Sequence, residues 1–425
     1  MSDMKGVPVE INAIASGGAG VGRLPDGRTV FVQRTAAGDA ARIRIDREHR
    51  RWARGSLIHL ARAGPHRRVP PCPLYVRCGG CTLQHLEYEA QLRAKADVVA
   101  QTLRRIGGLD IDGIHVEASP HEFHYRNRAT FTLLRVGGGV VAGFHVLERP
   151  GRILDVDERC LLLEPALTAA WRALRENWGT DAERLPGGAR LRMTLRSAAS
   201  GCSLLVEGGS GRGQPEALLD TVPGLRSIWV RREAGDRPRH LAGERELMEQ
   251  WSNRPIALRG AVFVQVNRGM AARLESYVLE RCGEVHGLTV VDGYCGFGAY
   301  ASWLAAAGAS VTGIEIDADA VAAAAILTPN ARFLTGPMEK VLPQALPADI
   351  VIVNPPRTGM HADACAALRV MAPGRMLYIS CDPATLARDA ARLQGTFTVS
   401  SIRCFDMFPQ TAHIETVLEL RCVTS

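Results

Sequence analysis

A strand, a glycine-rich turn, a helix and a second strand follow one another in the last third of the chain, and this order constrains the fold most. Residues 288–292 form an apolar run of strand length, and the turn at 293–298 contains three glycines. Residues 299–307 have helical character, and 310–315 form a second strand that ends in an acid. This succession predicts one nucleotide-binding half of a doubly wound α/β sheet.

The spacing of the glycines indicates which nucleotide the turn holds. Gly293, Gly296 and Gly298 follow a G-x-x-G-x-G order rather than the G-x-G-x-x-G order of dinucleotide sites. We therefore expect S-adenosylmethionine, with a nicotinamide dinucleotide as the alternative. Glu315, about 20 residues after the turn begins, is expected to accept hydrogen bonds from the ribose hydroxyls.

A cysteine stands at a second strand end of the same predicted sheet. Residues 376–379 form a short apolar run, which Ser380, Cys381, Asp382 and Pro383 interrupt before a helical pattern begins. Ligands of open α/β sheets bind at this edge, and a helix N-terminus favours a thiolate over a thiol. We expect Cys381 to be an active-site residue, the alternative being a small residue that merely ends a strand.

Three further strands complete the predicted sheet, at 349–353, 396–402 and 414–420. The last two are expected to be antiparallel neighbours. Asn354 begins a rigid Pro-Pro loop after the first of them, and Glu415 lies at the start of the last. An acid at the start of a buried strand needs a reason, which is either chemistry or an ion pair with a core arginine.

The basic charge of the chain is concentrated at its N-terminus. The first 70 residues hold 13 Lys and Arg against 6 Asp and Glu, which accounts for the whole net charge of +7. Four or five short strands predict a small β-barrel of the oligonucleotide-binding kind here, and its basic charge suits a polyanion. An ordinary solvated basic face is the alternative. Because Phe31 and Trp52 are the few aromatics in the barrel, we expect phosphate contacts rather than base stacking.

Three closely spaced cysteines follow the barrel in a C-x5-C-G-G-C run, at Cys72, Cys78 and Cys81. This is the spacing of a metal site, and Cys160 is the candidate fourth ligand. Four thiolates suit either zinc or a [4Fe–4S] cluster, and the spacing alone does not decide between them. The alternative is a set of reduced cysteines without a metal.

The length of 425 residues implies more than one core. We expect a barrel at 1–63, a central α+β domain with a mostly antiparallel sheet at 64–255, and the doubly wound domain at 256–425. The sequence contains neither an apolar run of membrane length nor a signal-peptide pattern, so a cytoplasmic protein is expected. We also expect a monomer.

Taken in order, these motifs resemble one family, the iron–sulfur-containing RNA uracil-C5 (5-methyluridine) methyltransferases of rRNA and tRNA. The resemblance covers nearly the whole chain. It implies a class I S-adenosylmethionine methyltransferase domain and identifies the barrel as similar to the TRAM domain, an RNA-binding module. Asp382 is one departure, since the family usually has Asn there, and Asn354 is another, since many members have Asp.

The resemblance also implies roles for individual residues. It implies that Cys381 is the nucleophile and Glu415 the general base. The residues that it places at S-adenosylmethionine are Gln265, Tyr294, Glu315 and Asn354. The ligands that it implies for a [4Fe–4S] cluster, in preference to zinc, are Cys72, Cys78, Cys81 and Cys160.

The expected function is therefore methylation of uracil C5 in structured RNA, with 23S rRNA as the expected substrate and tRNA as the alternative. A cytosine-C5 methyltransferase would use the same thiol chemistry, but its cysteine commonly follows a proline, whereas Cys381 lies on a different strand from Pro355 and Pro356. A non-catalytic, metal-containing RNA-binding protein is the alternative from another class. It would have no need for Cys381, Glu415 or the glycine turn.

Overall fold

The architecture comes from a computed structural model, which describes residues 6–233, 235–251, 254–259, 262 and 264–423. The outer limits of the predicted domains, at residues 1 and 425, lie outside these residues. Within the described part of the chain, no helix is both long and apolar enough to cross a membrane.

The N-terminal strands close into the expected barrel, in the order β1-β2-β3-β5-β4. They are β1 (Val7–Ile14), β2 (Gly20–Arg23), β3 (Thr29–Val32), β4 (Ala40–Glu48) and β5 (Trp52–Arg62). β3 and β5 run parallel, and the other neighbours are antiparallel. Alternate apolar side chains such as Ile11, Val30 and Ile43 fill the interior, as the period of a strand requires.

The central region begins with a helix and continues into a large sheet. Helix α1 (Tyr88–Thr102) ends in a π-helical turn, Leu103–Gly107, and Gly108 then takes a left-handed conformation. The elements that follow are β6 (Val116–Glu117), β7 (Arg128–Val136), β8 (Gly139–Val146), β9 (Arg149–Asp155), α2 (Pro165–Asn177), β10 (Arg190–Ala198), β11 (Gly201–Glu207), α3 (Pro215–Thr221), β12 (Leu225–Arg231) and β13 (Arg239–Gly243).

The central sheet is antiparallel apart from one pair, as expected. Its seven strands are ordered β13-β12-β11-β10-β7-β8-β9, and only β11 and β12 run parallel. α2 packs on it through Trp171, whose ring stacks on Phe131 with 3.7 Å between centroids. A separate hairpin of β14 (Glu246–Trp251) and β15 (Arg254–Arg259) leads to the last domain.

The C-terminal region is the predicted doubly wound domain. Its elements are α4 (Arg268–Cys282), β16 (Thr289–Gly293), α5 (Ala299–Ala306), β17 (Ser310–Glu315), α6 (Ala318–Leu327), β18 (Arg332–Thr335), α7 (Met338–Val341), β19 (Ile350–Val353), α8 (Ala362–Val370), β20 (Arg375–Ser380), α9 (Pro383–Leu393), β21 (Phe397–Phe405) and β22 (Glu415–Cys422).

The order of strands in this sheet sets the position of the site. It runs β18-β17-β16-β19-β20-β22-β21-β6, with five parallel strands from β18 to β20. β22 lies antiparallel between β20 and β21, which confirms the expected pairing of the last two strands. The carboxyl ends of β16, β17, β19 and β20 thus share one edge with the start of β22.

The central region also contributes to this sheet. β6, which precedes the central strands in the chain, pairs in parallel with β21 at the edge of the C-terminal sheet. The end of α1 packs against α9 and the residue before β22 through a buried cluster that contains Val99, Leu103, Ala387 and Ile414. Helix α1 is therefore fixed directly to the elements that carry the candidate site.

Candidate active site

Cys381 occupies the loop between β20 and α9. The loop is shaped by its neighbours, because Ser380 Oγ accepts a hydrogen bond from the Asp382 amide at 3.1 Å. Asp382 caps α9 by accepting hydrogen bonds from the amides of Ala384 at 2.9 Å and Thr385 at 3.1 Å. A capping carboxylate does here what an asparagine side-chain oxygen also does, which explains why Asp is compatible with this loop.

Glu415 lies beside Cys381 because their strands are neighbours. Ser380 of β20 is paired with Thr416 of β22, and the two strands are antiparallel. Cys381 comes after Ser380 and Glu415 comes before Thr416, so both lie at the same end of this strand pair. The Glu415 side chain is 3% exposed. Burial raises the pKa of this carboxyl to about 8, although Arg357 acts in the opposite direction.

Arg357 is a third member of this group that sequence reasoning assigned no role. It lies in the loop after β19, next to Cys381, and faces both Glu415 and His413. Its guanidinium favours the charged forms of the thiol and the carboxyl. The only signal in the sequence was its place after Asn354, Pro355 and Pro356 at a strand end.

The thiol of Cys381 is not activated in the way that we expected. Its pKa is raised, first by burial and then by Glu415, while Arg357 lowers it. The pKa of this thiol therefore lies above its ordinary value, whereas the position before a helix led us to expect a lowered one.

A buried carboxylate holds the loop that carries Arg357. Asp389 of α9 accepts hydrogen bonds from the Tyr378 hydroxyl and from the Met360 amide, both at 2.8 Å. Arg388 and Arg392 also pair with it, at 2.9 and 3.0 Å. This network joins β20, α9 and the loop after β19, so the position of Arg357 relative to Cys381 is fixed by buried contacts.

The segment between β21 and β22 is held by the central region. Lys95 of α1 is buried and pairs with Asp406 at 2.5 Å. The carbonyl of Gln410, a residue with a φ of 70°, accepts hydrogen bonds from the amides of Thr82 at 2.9 Å and Leu83 at 3.0 Å. These two residues directly follow Cys81, so the cysteine loop and the segment leading to Glu415 are bonded to each other.

Three of the four residues predicted to hold the cofactor meet at the edge of the sheet. Glu315 ends β17 and accepts a hydrogen bond from the Gly296 amide at 3.0 Å. The backbone N–H of Asn354 donates a hydrogen bond to the Gly293 carbonyl at 3.2 Å. Tyr294, the residue after Gly293, has a φ of 61°. This edge is where ligands of doubly wound sheets bind.

Gln265 is placed differently. It lies before α4, where its carbonyl accepts a hydrogen bond from Asn127 Nδ2 at 2.9 Å. Among the described residues, no hydrogen bond joins it to Tyr294, Glu315 or Asn354.

Sequence reasoning missed a further acid beneath the glycine turn. Asp292 is buried at the end of β16 and accepts a hydrogen bond from the Ala301 amide at 3.0 Å. Burial is the main cause that raises its pKa to about 7, and the nearby Glu315 adds to it. An acid that ends a buried strand before the glycines was the available signal. Through this hydrogen bond the Asp292 carboxyl links the end of β16, before the glycine turn, to α5, the helix after it.

The four predicted cysteine ligands line one small cavity of about 20 Å³. They are Cys72, Cys78, Cys81 and Cys160, and all four are free thiols. Burial raises the pKa of Cys81 to about 12 and that of Cys160 to about 11, and each thiol is close enough to others of the set to add to the rise. Within the described ranges, no three His, Cys, Asp or Glu side chains are grouped as ligands of a single metal ion.

The barrel holds the cysteine loop in place. Arg34 donates hydrogen bonds to the carbonyls of Tyr75, Cys78 and Cys81 at 2.8, 2.7 and 2.6 Å. The Gly79 amide donates to the His145 carbonyl at 3.0 Å, which brings the loop to the sheet that precedes Cys160. A set of four thiols around one cavity, without disulfides, has the donor chemistry of a metal–sulfur site.

Comparison with known proteins gives matches at both ends of the chain. A family profile described as tRNA (uracil-5-)-methyltransferase matches residues 340–422, which include Arg357, Cys381 and Glu415. A profile described as the TRAM domain matches residues 5–58, which correspond to the barrel.

Relatives and a solved structure match over nearly the whole length of the chain. An uncharacterized RNA methyltransferase of Gloeobacter violaceus is 33% identical, over 97% of this chain and 96% of its own. One of Halalkalibacterium halodurans is 32% identical, over 98% and 97%. The crystal structure of the Pyrococcus abyssi tRNA (uracil-54, C5)-methyltransferase with S-adenosyl-L-homocysteine has a TM-score of 0.74 and 27% identity, covering 97% of this chain and 100% of its own. The chain belongs to the family of these RNA methyltransferases, with a tRNA (uracil-5-)-methyltransferase family domain at residues 340–422 and a TRAM domain at its N-terminus.

Proposed function

We propose that the protein methylates C5 of a uridine in RNA, with Cys381 as nucleophile, Glu415 as general base and S-adenosylmethionine as methyl donor. The observation that carries this proposal is the adjacency of Cys381 and Glu415 at the ends of β20 and β22. The edge that they occupy also carries the glycine turn and Glu315. A thiol, a base and a nucleotide site at one edge are the parts that this reaction needs.

The chemistry follows from the poor nucleophilicity of uracil C5. The Cys381 thiolate adds to C6, and the electron pair of the C5–C6 double bond moves to C5 and O4 as an enolate. C5 then bonds to the methyl group of S-adenosylmethionine as the bond from this methyl to the sulfonium sulfur breaks, and S-adenosylhomocysteine is the leaving group. Glu415 removes the remaining proton of C5, and elimination of the Cys381 sulfur restores the double bond and gives 5-methyluridine.

The electrostatics of the site support these two roles. The pKa of Glu415, at about 8, makes its carboxylate a stronger base than an ordinary glutamate. Arg357 lies where it stabilises the thiolate of Cys381 as that charge forms. The three side chains are therefore coupled, and the state of one sets the proton affinity of the others.

The candidate cofactor residues have separate tasks in this proposal. Glu315 accepts hydrogen bonds from the ribose, and Tyr294, Asn354 and Gln265 surround the remainder of the molecule. The backbone amide of Gly296 already bonds to Glu315 and so fixes the direction of its carboxylate. The left-handed conformation of Tyr294 turns the chain sharply between β16 and α5.

We further propose that Cys72, Cys78, Cys81 and Cys160 hold a [4Fe–4S] cluster with a structural role. These four cysteines line one cavity and form no disulfides, which supports this proposal. Such thiols lose their protons when they bind a metal and then act as thiolate ligands. The cluster would tie the loop at Cys81 to the segment at Cys160. No step of the methyl transfer uses it.

Two RNAs are candidates for the substrate. A basic barrel combined with the cysteine set favours large-subunit rRNA. The whole-length likeness to the Pyrococcus protein, which is named for uracil 54 of tRNA, favours tRNA instead. In either RNA the base has to leave its stack to reach Cys381, so we expect a flipped nucleotide in a loop.

The decisive experiment is tritium release from RNA labelled at uridine C5. The anaerobically purified protein is given S-adenosylmethionine with rRNA and tRNA transcripts in separate reactions. Release is expected from one of them, and it should be lost in Cys381→Ala but kept in Cys422→Ala, a cysteine at the far end of β22. Absence of release from both RNAs, followed by activity on cytosine-labelled RNA, would overturn the uracil assignment.

A further inference from the structure

A large cleft separates the barrel from the end of helix α1. Its volume is about 780 Å³, and one wall is formed by β1, β2, β3 and β5. The other wall is the last turn of α1 and the π-helical turn after it, with Gln101, Thr102, Arg105 and Ile106. None of the residues that line the cleft belongs to the sheet edge that carries Cys381, and none has a part in the chemistry proposed above.

Two aromatic side chains of the barrel meet in this cleft. β3 and β5 are parallel neighbours, which brings Phe31 and Trp52 together edge to face with 6.1 Å between ring centroids. His49 stacks on Trp52 at 3.8 Å. Phe31 and Trp52 lie 21 residues apart in the chain, so their grouping depends on strand pairing. The expectation of phosphate contacts rather than base stacking took no account of this pairing.

Trp52 is the point where three cavities meet. Besides the cleft, a cavity of about 300 Å³ is lined by Phe31, Trp52 and Arg54. A third of about 570 Å³ is lined by His49, Arg50, Arg51 and Trp52. The half-buried indole thus borders all three spaces, with His49 stacked on its ring and the Arg54 guanidinium 5.8 Å from the ring centroid.

The charge around these aromatics is positive. Arg23, Arg51 and Arg105 line the cleft, and among the described residues that line it there is no carboxylate. Glu148 lines the adjoining cavity, and its pKa is raised, first by burial and then by the nearby Asp46. Aromatic surface with a fringe of arginines suits unpaired nucleotides, whose bases stack while their phosphates pair with cations.

Helix α1 connects this cleft to the active site. Lys95, which pairs with Asp406 at the end of β21, precedes Thr102 in the cleft by seven residues, a rise of about 10 Å along the helix axis. The π-helical turn that follows presents Arg105 and an Ile106 that is 48% exposed. Such turns often occur at functional sites.

We propose that this cleft binds an unpaired nucleotide of the RNA substrate, with its base stacked against Trp52 and its phosphates near Arg51 and Arg105. The occupant is single-stranded RNA, since both faces of a base inside a duplex are covered by the base pairs stacked above and below it. The inference rests on the proposed function in that it takes RNA as the substrate. It adds a second point of attachment, separate from the flipped uridine.

The test uses the full-length protein and a labelled oligouridine about ten nucleotides long, which matches the site size of small β-barrels. Trp52→Leu should weaken binding about tenfold, as loss of one stacked base predicts, with no change in the salt dependence. Arg51→Gln should instead reduce the magnitude of the slope of log binding constant against log salt concentration by about one. Arg62→Ala, an exposed arginine on β5 outside the cleft, is the matched control and should bind normally.

The methylation assay then separates this inference from the proposed function. Trp52→Leu should raise KM for RNA and leave kcat unchanged at saturating RNA, because Trp52 does not touch the reacting atoms. Equal binding by wild type and Trp52→Leu, with weaker binding by Arg51→Gln, would overturn the stacking site in favour of phosphate contacts alone. Absence of methylation in the wild type, with binding still dependent on Trp52, would count against the proposed function only.

Two measurements guard against damage to the barrel. Arg105→Gln changes the helical wall and leaves the barrel intact, and it should also weaken binding of the oligonucleotide. Crosslinking of 5-bromouridine RNA to the wild-type protein should label the peptides of Phe31 or Trp52. Crosslinks that avoid both peptides would overturn the inference even if Trp52→Leu does not fold.

Discussion

The carboxyl of Glu415 lies close enough to the thiol of Cys381 to raise the pKa of that thiol. The two groups thus oppose each other's ionisation, and the neighbouring Arg357 favours both charged forms. The proposed reaction needs a thiolate first and a carboxylate afterwards. Their mutual influence therefore predicts how the enzyme responds to pH.

We expect kcat/KM for RNA to rise between about pH 6.5 and 8.5. The pKa of Glu415 is about 8 and that of Cys381 lies above its ordinary value, so both gain their active form as the pH rises. Tritium release across this range is the measurement. In Glu415→Gln the adduct with 5-fluorouridine RNA should form at lower pH, because a neighbouring negative charge is gone. A flat or falling profile would contradict the assignment.

Glu415 should also make stability depend on pH. Its pKa in the folded protein, about 8, is above the ordinary 4.5, so the folded state binds this proton more tightly than the unfolded state. The resulting stabilisation is complete below about pH 4.5 and is lost as the pH rises through 8. Relative to Glu415→Gln, the wild type should lose free energy of unfolding, of the order of a few kcal/mol, between about pH 5 and 8. Urea unfolding at the two pH values measures this, and parallel behaviour of the two proteins would refute it.

The sequence predicted the elements of the site better than their interactions. The glycine turn, Cys381 and Glu415 were placed correctly at strand ends because the period and length of apolar runs are local properties. The raised pKa of Cys381 was not foreseen, since it depends on burial and on Glu415, which lies 34 residues away in the chain. The contact of β6 with β21, and the meeting of Phe31 with Trp52, are likewise products of tertiary pairing.

Replacement of Arg357 should impair formation of the covalent adduct. Arg357 lowers the pKa of Cys381, so Arg357→Gln should raise that pKa and leave less thiolate at neutral pH, about tenfold less if the pKa rises by about one. The rate of adduct formation with 5-fluorouridine RNA measures this, and Arg357→Lys should restore part of it. Arg369→Gln, an exposed arginine near the end of α8, is the control. An unchanged rate of adduct formation, with an unchanged pH profile, would show that Arg357 does not act on the Cys381 thiol.

The buried pair of Lys95 and Asp406 should be essential for stability. Lys95 is 2% exposed and Asp406 is fully buried, so Lys95→Met leaves a carboxylate without its cation. Such a loss costs about 3–5 kcal/mol. Combining it with Asp406→Asn should recover a large part, because no charge then remains buried. Unfolding by urea measures both, and a double variant no more stable than Lys95→Met would show that the charge is not the cause.

Loss of one cysteine of the proposed cluster should weaken the hydrogen bonds between the cysteine loop and the segment that leads to Glu415. The amides of Thr82 and Leu83, which follow Cys81, donate to the Gln410 carbonyl at 2.9 and 3.0 Å. If the cluster fixes the cysteine loop, Cys160→Ser should lose most of its iron and exchange these two amides faster. Iron content and hydrogen exchange are the measurements, and Cys202→Ser, a buried cysteine on β11 outside the cavity, should behave as the wild type. Unchanged exchange after loss of iron would mean that Arg34, through its three hydrogen bonds to the loop carbonyls, is sufficient to hold the loop.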